Sequence, residues 1–451
     1  MATKTQLAQL GLFDAKVPRY TSYPTAPHFN TEVGPDLFTD WIRAVKPGNE
    51  ISLYIHVPFC RHLCWFCACR TQGTQNVAPV AAYLETLKTE LGLLKQVLPE
   101  GVTLSRLHWG GGTPTLLEPG MMEDLAGAIF DVASLSDTAE FSVEIDPNEV
   151  DNPRLEVLAR SGMNRASIGV QDFDDDIQKT IGRIQGYDVT RDAVEAIRSH
   201  GVKSLNADIL FGLPHQTKAK ITESVQKLLS LSPDRVALYG YAHVPWMAKR
   251  QQLIPSDALP TPEERLALFE TARRLFLWDN YAEIGIDHFA VQGDGLETAL
   301  RGGTLRRNFQ GYTDDTSEVL IGLGASSISK FPQGFAQNAP STGAHTGAIR
   351  EGRFSTARGH EFQGEDKLRS RMIEALMCDF RIDGAEIRDT FGLSKKELRA
   401  MFDQAGEKFP NMLHISDDAL FVPQEARPLA RMIARSFDAY DLSKAGHSSA
   451  I

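Results

Sequence analysis

"CRHLCWFCACR", residues 60–70, holds four of the five cysteines in this chain of 451 residues. Cys60, Cys64, Cys67 and Cys69 follow the spacing C-x3-C-x2-C-x-C, directly after "ISLYIHVPF" (51–59), which reads as a buried strand. Working outward, further short apolar runs read as strands: "LSRLHWG" (104–110), "FSVEID" (141–146), "RASIGV" (165–170), "SLNADILFG" (204–212) and "RVALYGYA" (235–242). Between them lie stretches with apolar residues three and four apart, such as "AAYLETLKTELGLLKQVL" (81–98) and "DVTRDAVEAIRSHG" (188–201). This alternation, carried to about residue 290, predicts a parallel sheet covered by helices. About six strand–helix units fit, fewer than a closed eight-fold barrel needs. The expected fold is therefore α/β, a partial (β/α)6 TIM-like barrel.

Residues 1–50 show little periodicity and include "VPRYTSYPTAPHF" (17–29), so they are expected to form an arm laid over the active site. The barrel is expected over 51–355 and a mainly α-helical carboxyl-terminal domain over 356–451, from periodic runs such as 367–380 and 394–409. A net charge of −11 argues against a nucleic-acid binder, which needs a basic face. The amino terminus lacks the apolar core of a signal peptide, and no run approaches the ~20 apolar residues that cross a bilayer. A cytoplasmic protein without a membrane span is expected, and in that compartment clustered thiols read as ligands or catalysts rather than disulfides.

Several chemistries compete for the cysteines. Structural zinc commonly takes two separated cysteine pairs, whereas these four sit within ten residues. A redox dithiol would use Cys64 and Cys67 and leave their flanking cysteines without a role. Chance burial of small apolar thiols does not explain the crowding. An iron–sulfur cluster, for which short cysteine spacings are usual, remains. If Cys60, Cys64 and Cys67 bind three irons of a [4Fe-4S] cluster, the fourth iron is open, as at a catalytic metal site.

C-x3-C-x2-C after a first strand, on a strand–helix chassis, resembles the radical S-adenosylmethionine (SAM) enzymes. In order, "PRYTSYPTA", "YIHVPFC", "HWGGGTPT", "GVQDF", "GLP", "YAHVP" and "RNFQGYT" resemble the oxygen-independent coproporphyrinogen III oxidase family of that superfamily, across nearly the whole chain. The resemblance implies oxidative decarboxylation of two propionates of coproporphyrinogen III to vinyl groups, giving protoporphyrinogen IX in haem biosynthesis. It implies two SAM molecules, an electron donor for the cluster, an unidentified final electron acceptor and a monomer. The alternative is a haem-binding chaperone on the same chassis. Such relatives typically have an aromatic residue in place of Cys69 and lack the "PRYTSYPTA" arm.

The resemblance also implies roles for individual residues. Gly111 and Glu144 match positions that contact the cluster-bound SAM; Gly112, Thr113, Gln171, Arg183, Asp208 and Ala242 match positions near a second SAM; Tyr54, Phe66 and Ile328 also match SAM-contacting positions. Cys69, Gln310 and Ile328 are expected at the reacting region, and Arg19 on the substrate, whose carboxylates call for guanidinium groups. Ordinary readings stand beside these. "GGGTP" (110–114) is also a tight strand-to-helix turn, and Tyr54 and Phe66 also read as packing residues. Glu144, Gln171 and Asp208, at the carboxyl ends of successive strands, favour a shared site. Arg306 and Arg307 read as solvated surface charges and Cys378 as core. Trp65 stands where tyrosine is expected in many relatives, which predicts a packing difference only.

Overall fold

The computed structural model describes residues 5–441 and 449–451; residues 1–4 of the expected arm and 442–448 of the expected tail domain lie outside the described residues. The run after Glu50 is buried at every position except Tyr54, the pattern of a strand covered on both faces. This strand, β1 (Glu50–Val57), is followed in chain order and in space by β2 (Thr103–Gly111), β3 (Leu135–Ile145), β4 (Arg165–Gln171), β5 (Ser204–Phe211) and β6 (Arg235–Gly240). Every neighbouring pair is parallel, as the strand–helix alternation predicts.

The crossover helices follow from their apolar spacing. In Tyr187–Ser199 the buried side chains are Thr190, Ala193, Val194 and Ile197, one stripe at three- and four-residue intervals. Helix Pro262–Trp278 begins at a reciprocal cap: the Thr261 hydroxyl accepts the Glu264 N–H at 3.3 Å, and Glu264 accepts the Thr261 N–H at 2.8 Å.

Beyond β6 the sheet changes character. β7 (Ala282–Ile284) and β8 (His288–Ala290) extend one edge antiparallel. At the other edge, β9 (Leu320–Leu323) runs parallel to β1, and β10 (Ile328–Phe331), β11 (Gly334–Asn338) and β12 (Thr356–Glu361) continue as an antiparallel meander. Among the described residues the sheet has 12 strands. It continues to Glu361, past the residue at which a helical unit was expected to begin. The following region contains helices Asp366–Asp379 and Lys395–Lys408, together with a small antiparallel sheet of Arg381–Asp383, Ala419–Phe421 and His414–Ile415 that the periodicity did not predict.

The amino-terminal segment is more integrated than its weak periodicity suggested. Leu12, Val17, Tyr20 and Tyr23 are part of the core formed by the carboxyl-terminal helices. Helix Pro35–Arg43 buries Phe38, Trp41 and Ile42 in the barrel core. Between them, Asn30 and Gly359 exchange two backbone hydrogen bonds of 2.8 Å, covering the exposed edge of β12.

Helix Ala78–Val97 ties the meander to the barrel through Glu90. Its carboxyl accepts the Gly324 N–H at 2.8 Å and Asn338 Nδ2 at 3.0 Å, and it faces His345 Nε2 at 3.5 Å. Burial pushes Glu90 up to about 8 and His345 down to about 4. The two shifts act with opposite sign on stability. Between the ordinary carboxylate value of 4.5 and about 8 the folded Glu90 holds a proton that the unfolded chain has lost, so stability falls as pH rises. Between about 4 and 6.5 the unfolded His345 holds a proton that the folded ring lacks, so stability rises with pH. From 6.5 to about 8 only the Glu90 loss remains of this pair. Thermal melts across that window should show a decline that is smaller in Glu90→Gln than in the wild type; equal slopes would contradict this account.

Candidate functional site

The cysteine loop leaves β1 and is pinned at its neck. Phe59–Cys60 pairs in parallel with Gln72–Gly73. Gly112 N–H donates to the Val57 carbonyl at 2.8 Å and Thr113 N–H to the Phe59 carbonyl at 2.7 Å. A Cβ on Gly112 would lie 2.4 Å from the Phe59 oxygen, and one on Gly111 would lie 2.5 Å from the His56 ring. Gly111 also has φ +113°, a left-handed conformation that favours glycine. The "GGGTP" turn is thus the contact surface that holds the loop against the sheet.

Cys60, Cys64 and Cys67 are half-buried, and Cys69 is exposed. Burial pushes the Cys60 thiol up to about 11, against a hydrogen bond from Thr113 and with the charges of Cys67 and Cys64 adding to the shift. Cys64 is also raised by burial, against the pull of Arg183, whose Nη1 donates to Cys64 Sγ at 3.6 Å. Cys67 is pulled down to about 6, first by the Cys69 thiol hydrogen bond, and its sulfur also accepts the Cys69 N–H at 3.4 Å.

The loop is clamped from two further directions. Trp65 N–H donates to the Ile181 carbonyl at 2.9 Å, and its indole covers Gly182, where a Cβ would lie 2.8 Å from the ring. Gln251 Nε2 donates to the carbonyls of Phe66 at 2.8 Å and Ala242 at 3.0 Å, and Arg250 Nη2 donates to the Cys69 carbonyl at 3.1 Å.

The carboxyl ends of β1 to β5 present polar groups to the same region. Tyr54 donates to or accepts from His56 Nδ1 at 2.9 Å and stacks on His108 at 5.6 Å. Glu144 accepts the Gly111 N–H at 2.9 Å and faces His108 Nε2 at 3.3 Å. Burial works to raise Glu144, but His108 and the Gly111 N–H together hold it below the ordinary carboxylate value. Gln171 ends β4 at φ +68°, an uncommon conformation for a residue with a side chain. Arg183 donates to the Gly169 carbonyl at 2.9 Å and pairs with Asp146 at 3.2 Å, while its buried Nε lacks a partner among the described residues. Asp208 accepts Asn206 Nδ2 at 2.8 Å and is pushed up to about 7, mainly by burial, with the Glu144 charge contributing.

Other expected residues lie around this arc. Ile328 is on β10; its carbonyl approaches Gly322, the register partner of Tyr54. Gln310 is exposed at the tip of the hairpin Arg306–Asn308/Gly311–Thr313, next to Gly311, which approaches the His288 ring. Arg19 reaches from the amino-terminal segment to the Gly240 carbonyl at 2.8 Å. Arg306 is half-exposed, but the reading of Arg307 as a solvated charge is overturned: its side chain is 5% exposed, 3.8 Å from Asp287, with its guanidinium over the Tyr312 ring at 4.5 Å. Cys378 is fully buried. The sequence reading missed His56, His108, Arg250 and Gln251. The two histidines were marked by period two, since Tyr54 and His56 share one face of β1 and His108 lies opposite Tyr54 in register.

Three thiols that feel one another's charge, an arginine Nε without a partner beside them and a glycine turn closed by the loop backbone suit a thiolate-bound iron cluster with an adjacent anionic ligand. A cysteine loop of this kind at the carboxyl end of a parallel strand–helix sheet defines the radical SAM class, and the Radical SAM superfamily profile matches residues 54–228. Oxygen-independent coproporphyrinogen III oxidase of Paracoccus denitrificans is 63% identical over the full length of both chains, and that of Cereibacter sphaeroides is 58% identical over 98% of each. The solved structure of coproporphyrinogen III oxidase from Escherichia coli, described as a radical SAM enzyme, is 32% identical with TM-score 0.89, over 94% of this chain and 98% of that one. The chain belongs to the oxygen-independent coproporphyrinogen III oxidase family. Its cofactors are a [4Fe-4S] cluster and SAM.

The turn geometry yields a paired test. Gly111→Ala places a methyl group against His56 at positive φ and should cost ~1–3 kcal/mol of stability. Gly120→Ala adds a methyl group in open space on helix Pro119–Phe130 and should stabilise by up to ~1 kcal/mol. Denaturant melts measure both, and equal effects would contradict the close-approach reading.

Proposed function

We propose that this chain decarboxylates two propionates of coproporphyrinogen III to vinyl groups, giving protoporphyrinogen IX without oxygen. The single observation that carries the reading is the arc of polar strand ends facing the cysteine loop, with Arg19 reaching its rim at Gly240. Cys60, Cys64 and Cys67 are the thiolates for the cluster. Glu144, ionised and aligned by Gly111 and His108, receives the amino group of SAM, and Tyr54 and Ile328 are further SAM contacts. Gln171, Arg183, Asp208, Phe66, Gly112, Thr113 and Ala242 form the neighbouring site for a second SAM.

When bound, the cluster and SAM supply a carbon-centred 5′-deoxyadenosyl radical able to take hydrogen from a propionate β-carbon. The chain's own contribution is orientation and exclusion of water. The loop clamp of Arg250 and Gln251 fixes Phe66 and Cys69 relative to the strand ends. Arg19 receives a substrate carboxylate, and Gln310, exposed at the hairpin tip, is offered to the reacting region. The reaction also needs an electron donor for the cluster and an acceptor for the electron left after carbon dioxide is lost. We read the protein as a cytoplasmic monomer; no helix among the described residues is long and apolar enough to cross a membrane.

Anaerobic incubation of the reduced, reconstituted protein with SAM and coproporphyrinogen III should yield protoporphyrinogen IX and carbon dioxide. Binding of a porphyrin without conversion would instead support the haem-chaperone alternative. Cys69 is the residue that separates chemistry from cluster assembly. Cys69→Ala should retain cluster absorbance and lose most vinyl formation. A variant without a cluster would make Cys69 a ligand, and unchanged turnover would leave it without a role.

A further inference from the structure

A cavity of about 710 Å³ opens beside Gly240 and Ala242, bounded by the end of β5, helix Pro262–Trp278, the amino-terminal segment and helix Ala430–Ala434. Its volume is that of a small-molecule site, and Phe211, Leu259 and Phe269 supply apolar wall. Its charges divide into three groups. On one side Arg273 and Arg427 both pair with Glu283, at 2.7 and 3.0 Å. Deeper in, Arg307 lies near Asp287. On the remaining side stand Arg19, Arg265 and Arg431; among the described residues no Asp or Glu lies within ion-pair distance of them, although Asp287 attracts Arg19 and Arg431 and Arg265 Nε reaches the terminal residue Ile451.

These three guanidiniums donate to main-chain oxygens. Arg19 reaches Gly240 at 2.8 Å; Arg265 reaches Gly212 at 3.3 Å and Ile451 at 3.1 Å. Arg431 reaches Pro18 at 3.1 Å, Ser449 at 3.0 Å, Ala450 at 3.1 Å and also Val17. Burial, then the charge of Arg19, lowers Arg265 to about 10 and Arg431 to about 9. Arg19 repels both Arg265 and Arg431, Asp287 offsets this only in part, and a bound carboxylate relieves the repulsion through charge-assisted hydrogen bonds.

We propose that Arg19, Arg265 and Arg431 form the anchor for the propionates that the reaction leaves intact. This rests on the oxidase reading above and extends it to substrate orientation. The argument for retained rather than reacting propionates is energetic. A carboxylate held by several guanidiniums is stabilised in the ground state, and that interaction is forfeited as carbon dioxide leaves. An arginine cluster on the reacting carboxylate would therefore raise the barrier, whereas on a carboxylate that persists it binds substrate and transition state alike. The anchored end then fixes the macrocycle against the apolar wall, with its other propionates directed past Gly240 and Ala242 toward the strand ends.

The test uses the stable oxidised porphyrins as probes: coproporphyrin III with four carboxylates, protoporphyrin IX with two, and protoporphyrin IX dimethyl ester. Binding to the reconstituted protein is read by tryptophan fluorescence quenching without turnover. Arg265→Gln and Arg19→Gln should each weaken coproporphyrin III and protoporphyrin IX by a similar factor, about tenfold or more for a lost charge-assisted contact. The dimethyl ester should respond to neither substitution, and Arg265→Lys should restore part of the affinity. Loss confined to coproporphyrin III would place the cluster on the reacting propionates and overturn the proposal. So would equal loss for the dimethyl ester, or no loss for either acid. Retained cluster absorbance identifies folded variants, and Arg19→Gln serves if Arg265→Gln does not fold. Because turnover is not read, arginine-dependent binding in a protein that fails to convert coproporphyrinogen would overturn the oxidase reading and leave the anchor standing.

Discussion

The backbone seam between the cysteine loop and the second barrel strand governs the rest of the site. Two hydrogen bonds, from Gly112 to Val57 and from Thr113 to Phe59, draw the loop onto the strand end. They form only because positions 111 and 112 lack side chains, since a Cβ at either would meet the His56 ring or the Phe59 carbonyl. The seam brings Thr113 to Cys60 and leaves the Gly111 N–H directed at Glu144. One short turn therefore determines where the thiols sit, which carboxylate faces them and which end of the sheet is chemically active, the carboxyl end as in other barrels of parallel strands.

Local charge runs against the acidic composition of the chain. At the strand ends, Glu144 and Asp208 differ in protonation tendency because one is hydrogen-bonded by His108 and a backbone N–H, whereas the other is mainly desolvated. Arg183 joins this region to Cys64 and Asp146. Across the rim, guanidiniums from the amino-terminal segment, the helix after β6 and the tail helix converge on one cavity. A net charge of −11 excludes neither arrangement, since burial and geometry decide what a ligand meets.

The first six strands were legible because each carries a short apolar stretch that is buried, continuous as in β1 or alternating as in β4. The later strands were not: β7 to β12 are three to six residues long, too short for alternation to register. Helix Pro35–Arg43 was hidden by its short length, and Leu12, Val17, Tyr20 and Tyr23 by an irregular spacing that fits a surface contributed by distant helices. In the site, the cysteines and Glu144 could be read from spacing and strand ends. Arg307 could not, because the carboxylate that draws it inward is Asp287, on the approach to another strand. Arg265 and Arg431 carry no local signal at all; their proximity exists only once segments far apart in the chain enclose the cavity.

The account's central claim is that Cys60, Cys64 and Cys67 alone hold the cluster, leaving one iron for SAM. Electron paramagnetic resonance of the reduced, reconstituted protein, before and after SAM is added, tests it most directly when run on the wild type, the three single alanine variants at those positions and Cys69→Ala. The account predicts a cluster signal that SAM shifts in the wild type and in Cys69→Ala, and no assembled cluster in the other three. A wild-type signal indifferent to SAM, or a tightly bound zinc ion with no reconstitutable cluster, would contradict it.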